Sequence, residues 1–535
     1  MENNLKQNQK QLSTWWRFLI IILLVLGVVL RFADLDRKVY WRDEAATSLR
    51  VSGYTWREFV DQAFDGHIIG VEDLQNYQRP NPEKSVFDTI KGLAVEEPQH
   101  PPLYYVMARF WAKGFGNSVT VMRALPALIS LFVFPCLYWL CLELFESARV
   151  GWIAIALMAV SLVHVMYAQE ARQFSLWTVT ILLSSAALLR AMRLKSKISW
   201  GIYGITMTLG LYTIPLHSLV AIGHGIYVFV IEDFRLTKKF TDYLLASLLG
   251  LLAFLPWIVV LIVNIFSFQG STAYQSENVA LLNLIKTWIS YMGYVFSTSS
   301  WQNLLVLILE GYAIYFVCYK SEKRVYWFIL ALITVTALAL ILPDLILGGT
   351  RSTVIRYFFP CYLGLQLSVA YLFASKITSL SVNLLQKKLW EIGLIILLTF
   401  GLLNCAIYVN SEAEWYKGDG DNVPISHLIN QADHPLVISE VRIKGGNVSA
   451  ANDSIGSLLA LSYLLQPQVR LQLVVAPNVP DIPQGFSNIF LYNISEKLRS
   501  EIEQDMNKKS VLANGTNGRL LSSSLYHSGK KLWKL

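Results

Sequence analysis

The chain has 535 residues and a formal net charge of +8; 54% of its residues are hydrophobic and only 15% are charged. Its mean hydropathy is +0.43. Soluble domains carry about 25% charged residues, so this composition excludes an ordinary soluble globule and points to repeated membrane spans. The basic excess gathers in separate short loops, which reads as a topology signal and argues against a nucleic-acid partner.

Residues 1–14 are polar, with Lys6 and Lys10, and the first apolar run extends from about Trp15 to Phe32. That is just long enough to cross a bilayer, and no small-residue cleavage site follows it. A polar segment, 33–117, comes next and contains Arg79-Pro80-Asn81-Pro82. It reads as a first extracytoplasmic loop with short amphipathic surface helices, one near Trp56 to Phe64. Further apolar runs lie near 119–142, 150–167, 173–190, 199–213, 216–231, 243–266, 302–319, 326–343, 357–375 and 390–409, eleven with the first. Pro215 and His217 make 199–231 a tight hairpin, either two shorter helices or one kinked helix.

The tail changes character. Short apolar runs at Pro435–Ser439, Val469–Val475, Asn488–Tyr492 and Lys531–Leu535 alternate with helical stretches near Ser457–Leu465 and Ser495–Asp505. The expected fold is therefore mainly α, a polytopic membrane protein of about eleven transmembrane helices, residues 1–409, with a C-terminal extracytoplasmic α/β domain, residues 410–535. The cysteines, Cys136, Cys141, Cys318, Cys361 and Cys405, all sit in apolar stretches and read as small buried hydrophobes.

Alternate loops hold the basic clusters: Lys6, Lys10 and Arg17; Arg190, Arg193, Lys195 and Lys197; Arg235, Lys238 and Lys239; Lys320, Lys323 and Arg324; Lys387 and Lys388. The positive-inside rule makes that side the cytoplasm. The expectation is an integral protein of the cell membrane with a cytoplasmic N-terminus and an extracytoplasmic tail.

Chemistry-bearing residues recur on the outer side. Asp43 and Glu44 follow the first span, and His100 and Tyr104 lie in His-Pro-Pro-Leu-Tyr-Tyr before the second. Glu170 and Arg172 occupy the short loop Tyr167-Ala-Gln-Glu-Ala-Arg-Gln, His217 the hairpin, and Arg351, Arg356 and Tyr357 the start of the tenth span. An adjacent acid pair can bind a metal, act as a general base or start a helix, since acids favour the N-terminal turn. The arginines can grip phosphate or snorkel to headgroups. Glu170 and Arg172 are two apart and do not face each other on a helix, so each needs a partner elsewhere.

Taken in order, Trp-Arg-Asp-Glu, His-Pro-Pro-Leu-Tyr-Tyr, Tyr-Ala-Gln-Glu-Ala-Arg-Gln-Phe and Arg-Tyr-Phe-Phe-Pro resemble the GT-C glycosyltransferases. The likeness is narrower to family 39, the branch of protein O-mannosyltransferases and the lipid A aminoarabinose transferase. The match spans roughly residues 15–375. The aminoarabinose branch more often has lysine where His100 stands.

The resemblance implies a sugar donor on polyprenyl phosphate and a lipid, glycan or protein acceptor of the cell envelope, joined at the outer face with inversion. It makes Asp43 the catalytic base, Glu44 its orienting partner or an aid in placing the acceptor, and Glu170 the second acid. Arg172, Arg351, Arg356 and Tyr357 would bind the donor phosphate, and His100, Tyr104 and His217 the substrates. It leaves open a divalent cation, Mg or Mn, on Asp43 and Glu170. The competing reading is a transporter or flippase of polyprenyl-linked sugars. Such proteins place polar sites at mid-membrane, whereas the residues here fall in outer loops.

Overall fold

The computed structural model describes residues 14–276, 279–296, 300–378, 383–412, 419–443, 448, 452–510, 519–520 and 532–534; Lys6 and Lys10 lie outside them. The molecule is mainly helical. It divides into two compact units, each assembled from separate stretches of chain. One, the helical unit, takes residues 1–33, 123–259 and 274–410; the other, the sheet unit, takes 34–122, 260–273 and 411–535.

Long runs of Leu, Ile, Val and Ala satisfy every backbone group internally only as helices, which is what lipid demands. Among the described residues, eight helices are long and apolar enough to cross a membrane: Thr14–Phe32, Val119–Phe145, Phe174–Leu194, Lys238–Val263, Trp301–Lys320, Lys323–Leu347, Ile355–Thr378 and Leu384–Asn410. A ninth is counted if Ala148–Ala159 and Leu162–Ala168, bent by 61°, form one broken span. The other two expected spans are also helical, but Lys197–Thr213 has 17 residues and His217–Ile231 has 15. At about 1.5 Å per residue both fall short of a hydrocarbon core of about 30 Å. The difference from eleven therefore lies in the bent pair and the tight hairpin.

Burial ranks the long helices. Phe174–Leu194 and Ile355–Thr378 are 83% and 89% buried, whereas Lys238–Val263 is 22% buried. The first two form the centre of the helical unit, and both begin next to candidate arginines. Lys238–Val263 exposes Leu244, Leu245, Leu248, Leu249, Leu251 and Leu252, a surface that only lipid can cover favourably.

The sheet unit is built on six strands in the order β1-β3-β2-β4-β6-β5, with β1 Asp65–Gly70, β2 Pro435–Val441, β3 Arg470–Val475, β4 Asn488–Tyr492, β5 Arg519–Leu520 and β6 Leu532–Lys534. β2 runs parallel to both β3 and β4, with Val437 opposite Leu471 and Phe490. All seven β2 residues are buried, as a strand covered on both faces requires. β1, from the first polar loop, adds antiparallel to β3 with Ile69 opposite Leu471. Leu436, Ile438, Val474, Ile489, Leu491, Leu498, Ile502 and Trp533 are among the residues packed into its core.

The Trp56–Ala63 helix was expected to lie on the bilayer. Instead Trp56, Phe59, Val60 and Ala63 are buried. Phe59 meets Phe64 and Tyr77 edge-on at 5.7 and 4.8 Å. Its apolar stripe is already covered by protein.

Candidate active site

In the sheet unit Asp43 and Glu44 open the helix Arg42–Ser52, in its first turn. The helix starts there because Glu44 reaches back: its Oε2 accepts from the Trp41 backbone N–H at 3.4 Å. Glu44 is completely buried, so its carboxylate closes the helix start. Asp43, one position earlier, is half-buried, and the helix N-terminus favours its negative charge. The tail fixes this helix. Asp419 Oδ2 accepts from the Arg42 N–H at 2.8 Å, while its Oδ1 accepts from Ser457 Oγ at 2.9 Å. Gly456 packs so closely that a Cβ there would lie 3.1 Å from the Arg42 Cβ. Tyr40 hydrogen-bonds Ser48 at 2.6 Å and stacks edge-on against Tyr463.

The far end of the same helix is held by a buried ion-pair network. Arg50 contacts Glu96 at 2.6 Å and Glu97 at 2.9 Å, with its side chain fully buried. Burial works to lower the guanidinium's pKa, but the charges and hydrogen bonds of Glu97 and Glu96 outweigh it and hold it above the ordinary arginine value. Glu96 also accepts from the Trp56 and Arg57 amides, at 2.7 and 3.0 Å. The segment Glu96-Glu97-Pro98-Gln99-His100 thus does structural work with its first two residues. His100 is half-buried and 6.0 Å from the Tyr105 ring; Tyr104 is fully buried. Both sit at the start of the Leu103–Phe115 helix, which packs against Arg42–Ser52.

In the helical unit Glu170 and Arg172 are buried in the turn between Leu162–Ala168 and Phe174–Leu194. Arg356 lies on the turn Ile355–Phe358, with its guanidinium 5.6 Å from the Phe174 ring centroid. Phe359 touches Tyr167, Phe174 and Trp177 at 5.2, 6.2 and 6.0 Å. These rings bring the Glu170–Arg172 turn and the Arg356 turn together. Tyr357 accepts a hydrogen bond from Gln275 Nε2 at 3.1 Å.

Arg351 has a different partner. Its guanidinium pairs with fully buried Asp344 at 3.1 Å, and Asp344 also accepts from the Ser352 N–H and Oγ, both at 2.6 Å. Trp288 and Tyr291 fasten the same loop through Ser352 Oγ and the Thr353 carbonyl, at 2.9 and 2.6 Å. His217 is fully buried within the hairpin: a Cβ at Gly210 would fall 2.3 Å from its ring.

The structure therefore groups Asp43, Glu44, His100 and Tyr104 in one unit and Glu170, Arg172, Arg351, Arg356, Tyr357 and His217 in the other. Among the described residues no three His, Cys, Asp or Glu side chains gather as metal ligands. Sequence reasoning missed Asp419, Asp344, Gln169 and the Arg50 network. Only Glu96-Glu97, a charged pair beside prolines, carried a signal that could have been followed.

Three comparisons bear on this arrangement. Residues 99–260 match the family described as dolichyl-phosphate-mannose-protein mannosyltransferase. No curated protein sequence matches. Among solved structures, ArnT from Cupriavidus metallidurans bound to undecaprenyl phosphate aligns with a TM-score of 0.51 at 11% identity, covering 98% of each chain. Its apo form aligns with a TM-score of 0.51 at 10% identity, covering 97% of this chain and 98% of its own. The archaeal oligosaccharyltransferase AglB from Archaeoglobus fulgidus, in complex with an inhibitory peptide and a dolichol-phosphate, aligns more loosely. Its TM-score is 0.48 at 11% identity, over 85% of this chain and 64% of its own, which carries no argument here.

Proposed function

We infer that the chain is a membrane glycosyltransferase of the GT-C type, in the branch of the protein O-mannosyltransferases and the lipid A aminoarabinose transferase, and that it moves a sugar from polyprenyl phosphate to an envelope acceptor hydroxyl outside the cytoplasm; the family match over residues 99–260 and the ArnT-like fold support this reading. The observation that supports this reading is that each unit, taken by itself, holds one of the two chemistries the transfer needs. A half-buried carboxylate, Asp43, opens a rigidly held helix in the sheet unit. Two arginines, Arg172 and Arg356, sit on aromatic-lined turns in the helical unit.

In the proposed reaction Asp43 takes the proton of the acceptor hydroxyl as its oxygen bonds to the anomeric carbon. The bond from that carbon to the phosphate oxygen breaks with inversion, and the polyprenyl phosphate leaves with the electron pair. Arg172 and Arg356 meet the charge growing on that phosphate with planar donors that keep their own charge. Tyr357, accepting from Gln275, adds a hydroxyl donor. His100 and Tyr104 serve the acceptor. Glu44 orients the helix start that carries Asp43, and Arg351, paired with Asp344, is a further donor-phosphate candidate. Glu170 is the second acid, set beside Arg172. The bound undecaprenyl phosphate of the ArnT structure supports a polyprenyl carrier. The division of the chain into a membrane part and an outer part around the sheet, with a cytoplasmic N-terminus and extracytoplasmic tail, belongs to the same proposal.

The flippase reading has less to stand on. It needs ionisable groups lining a path through the spans; buried Arg31 is occupied by backbone carbonyls, which leaves buried Glu310 in Trp301–Lys320 as the group such a path would use. To test the proposal, purified full-length protein is given a radiolabelled polyprenyl-phosphate sugar and envelope acceptors. Label should pass to the acceptor, and Asp43→Asn should stop it while the protein stays folded. Undiminished transfer by that variant would sink the assignment.

A further inference from the structure

The turn carrying Glu170 and Arg172 is fastened to the first span by two side chains that point in opposite directions. Gln169 Nε2 donates to the carbonyls of Leu30 and Ala33, at 2.7 and 2.9 Å. These lie at the C-terminal end of Thr14–Phe32, where carbonyls lack partners within the helix. In return Arg31, from the last turn of that helix, caps the end of Ala148–Ala159. Its Nη2 donates to the Met158 carbonyl at 3.0 Å, and its Nη1 to those of Ala159 at 3.1 Å and its own Gly27 at 2.8 Å. Each helix end is thus closed by a side chain from the other segment.

Several further features tighten this joint. Gly27 lets the backbones touch, since a Cβ there would lie 2.7 Å from the Ala159 carbonyl oxygen. The break after Ala159 is pinned by Cys405 Sγ on the Val160 carbonyl at 3.4 Å. The Leu162 and Val163 amides donate to the carbonyls of Val295 and Tyr294, at 3.0 and 3.2 Å. Arg31 is 1% exposed, and among the described residues no carboxylate pairs with it. Three carbonyls and the Phe134 ring, 4.9 Å away, meet its charge instead. A broken span whose ends are satisfied in this way can persist in lipid.

We propose that Gln169 and Arg31 are positioning residues of the transfer reaction, a proposal that rests on the reading above. They fix Glu170 and Arg172 against the end of the first span. Transfer from an already activated donor depends mainly on geometry, and a misplacement of about 1 Å can cost on the order of 100-fold. In this proposal Arg172 acts on the charge that grows during transfer, while Arg356, held on the other turn, keeps donor affinity. The loss therefore falls on kcat.

The test uses full-length protein in detergent, with kcat normalised to the folded, monodisperse fraction. Gln169→Leu should lower kcat by about 10- to 100-fold while the donor KM stays within roughly threefold. Gln169→Glu gives a pH signature. Its ionised carboxylate faces two carbonyls and repels them, whereas the protonated acid can donate to one, so its kcat relative to wild type should rise as pH falls. Wild-type kcat in both variants, with only a lower melting temperature, would overturn the proposal. So would a pH profile of Gln169→Glu that parallels wild type. If Gln169→Leu does not fold, Gln169→Glu and Gln169→Asn decide it. Absence of transfer by the wild type would instead defeat the functional reading and the proposal with it; normal wild-type transfer with unaffected variants defeats the proposal alone.

Discussion

Arg50 and Arg31 are the same residue type, almost equally buried, and the two units neutralise them differently. In the sheet unit Arg50 faces two carboxylates, Glu96 and Glu97. In the helical unit Arg31 faces three backbone carbonyls and an aromatic ring. The contrast follows from what surrounds each. Around Arg50 the acids of the Glu96-Glu97 segment leave solvent together with the cation they pair. At Arg31 two helix ends already offer strong acceptors, and using them avoids importing a second charge, whereas Arg351 of the same unit takes buried Asp344. The lesson is that a buried arginine need not mark a salt bridge or a substrate; helix ends are an alternative partner.

The largest expected effect tests this contrast directly. Arg50→Met leaves two acids buried without their cation and should cost about 3–5 kcal/mol. Arg31→Met strands only neutral carbonyls and should cost about 1–3 kcal/mol. Thermal unfolding of the full chain in one detergent compares them, and equal losses would break the distinction. The next effect concerns close contact. Gly27→Ala puts a Cβ 2.7 Å from a backbone oxygen, whereas Gly456→Ala puts one 3.1 Å from the Arg42 Cβ. The first should lose about 1–3 kcal/mol and the second less, read in the same unfolding assay.

The smallest expected effect is in acid. For Glu58, burial raises the carboxyl's pKa but hydrogen bonds from Lys84 and Thr55 outweigh it and leave it below 4.5. The Ser85 N–H and hydroxyl likewise hold Asp88 below 3.8. Both pKa values are depressed in the folded state, so their stabilisation is complete above those ordinary values and fades as pH falls through the lowered ones. Hydrogen exchange in the helices Trp56–Ala63 and Val86–Glu96 should quicken below about pH 4, beyond the intrinsic pH trend. Unchanged protection there at pH 3 would contradict these caps.

Much of the helical unit was legible because lipid imposes a simple rule, and every long apolar run is a helix. Strand positions in the tail were legible too: the runs at 435–439, 469–475 and 488–492 form β2, β3 and β4. What periodicity cannot show is which distant segment completes a face. The pairing of Ile69 with Leu471 and the grip of Asp419 on Arg42 join residues hundreds of positions apart. Short local patterns carry no information about such partners. The same limit applies at the candidate site. Arg351 and Arg356 look alike in sequence, yet one pairs with buried Asp344 and the other lies on Phe174.

The proposed division of labour has the carboxylate of the sheet unit acting on the acceptor and Arg356 of the helical unit holding the donor phosphate. The most direct test measures donor affinity and turnover together in two variants. Asp43→Asn should bind a polyprenyl phosphate as wild type does while transfer falls by about 10²–10⁴-fold. Arg356→Met should weaken that binding by about tenfold or more. If Asp43→Asn lost donor affinity as fully as Arg356→Met, or kept its turnover, the account would be contradicted.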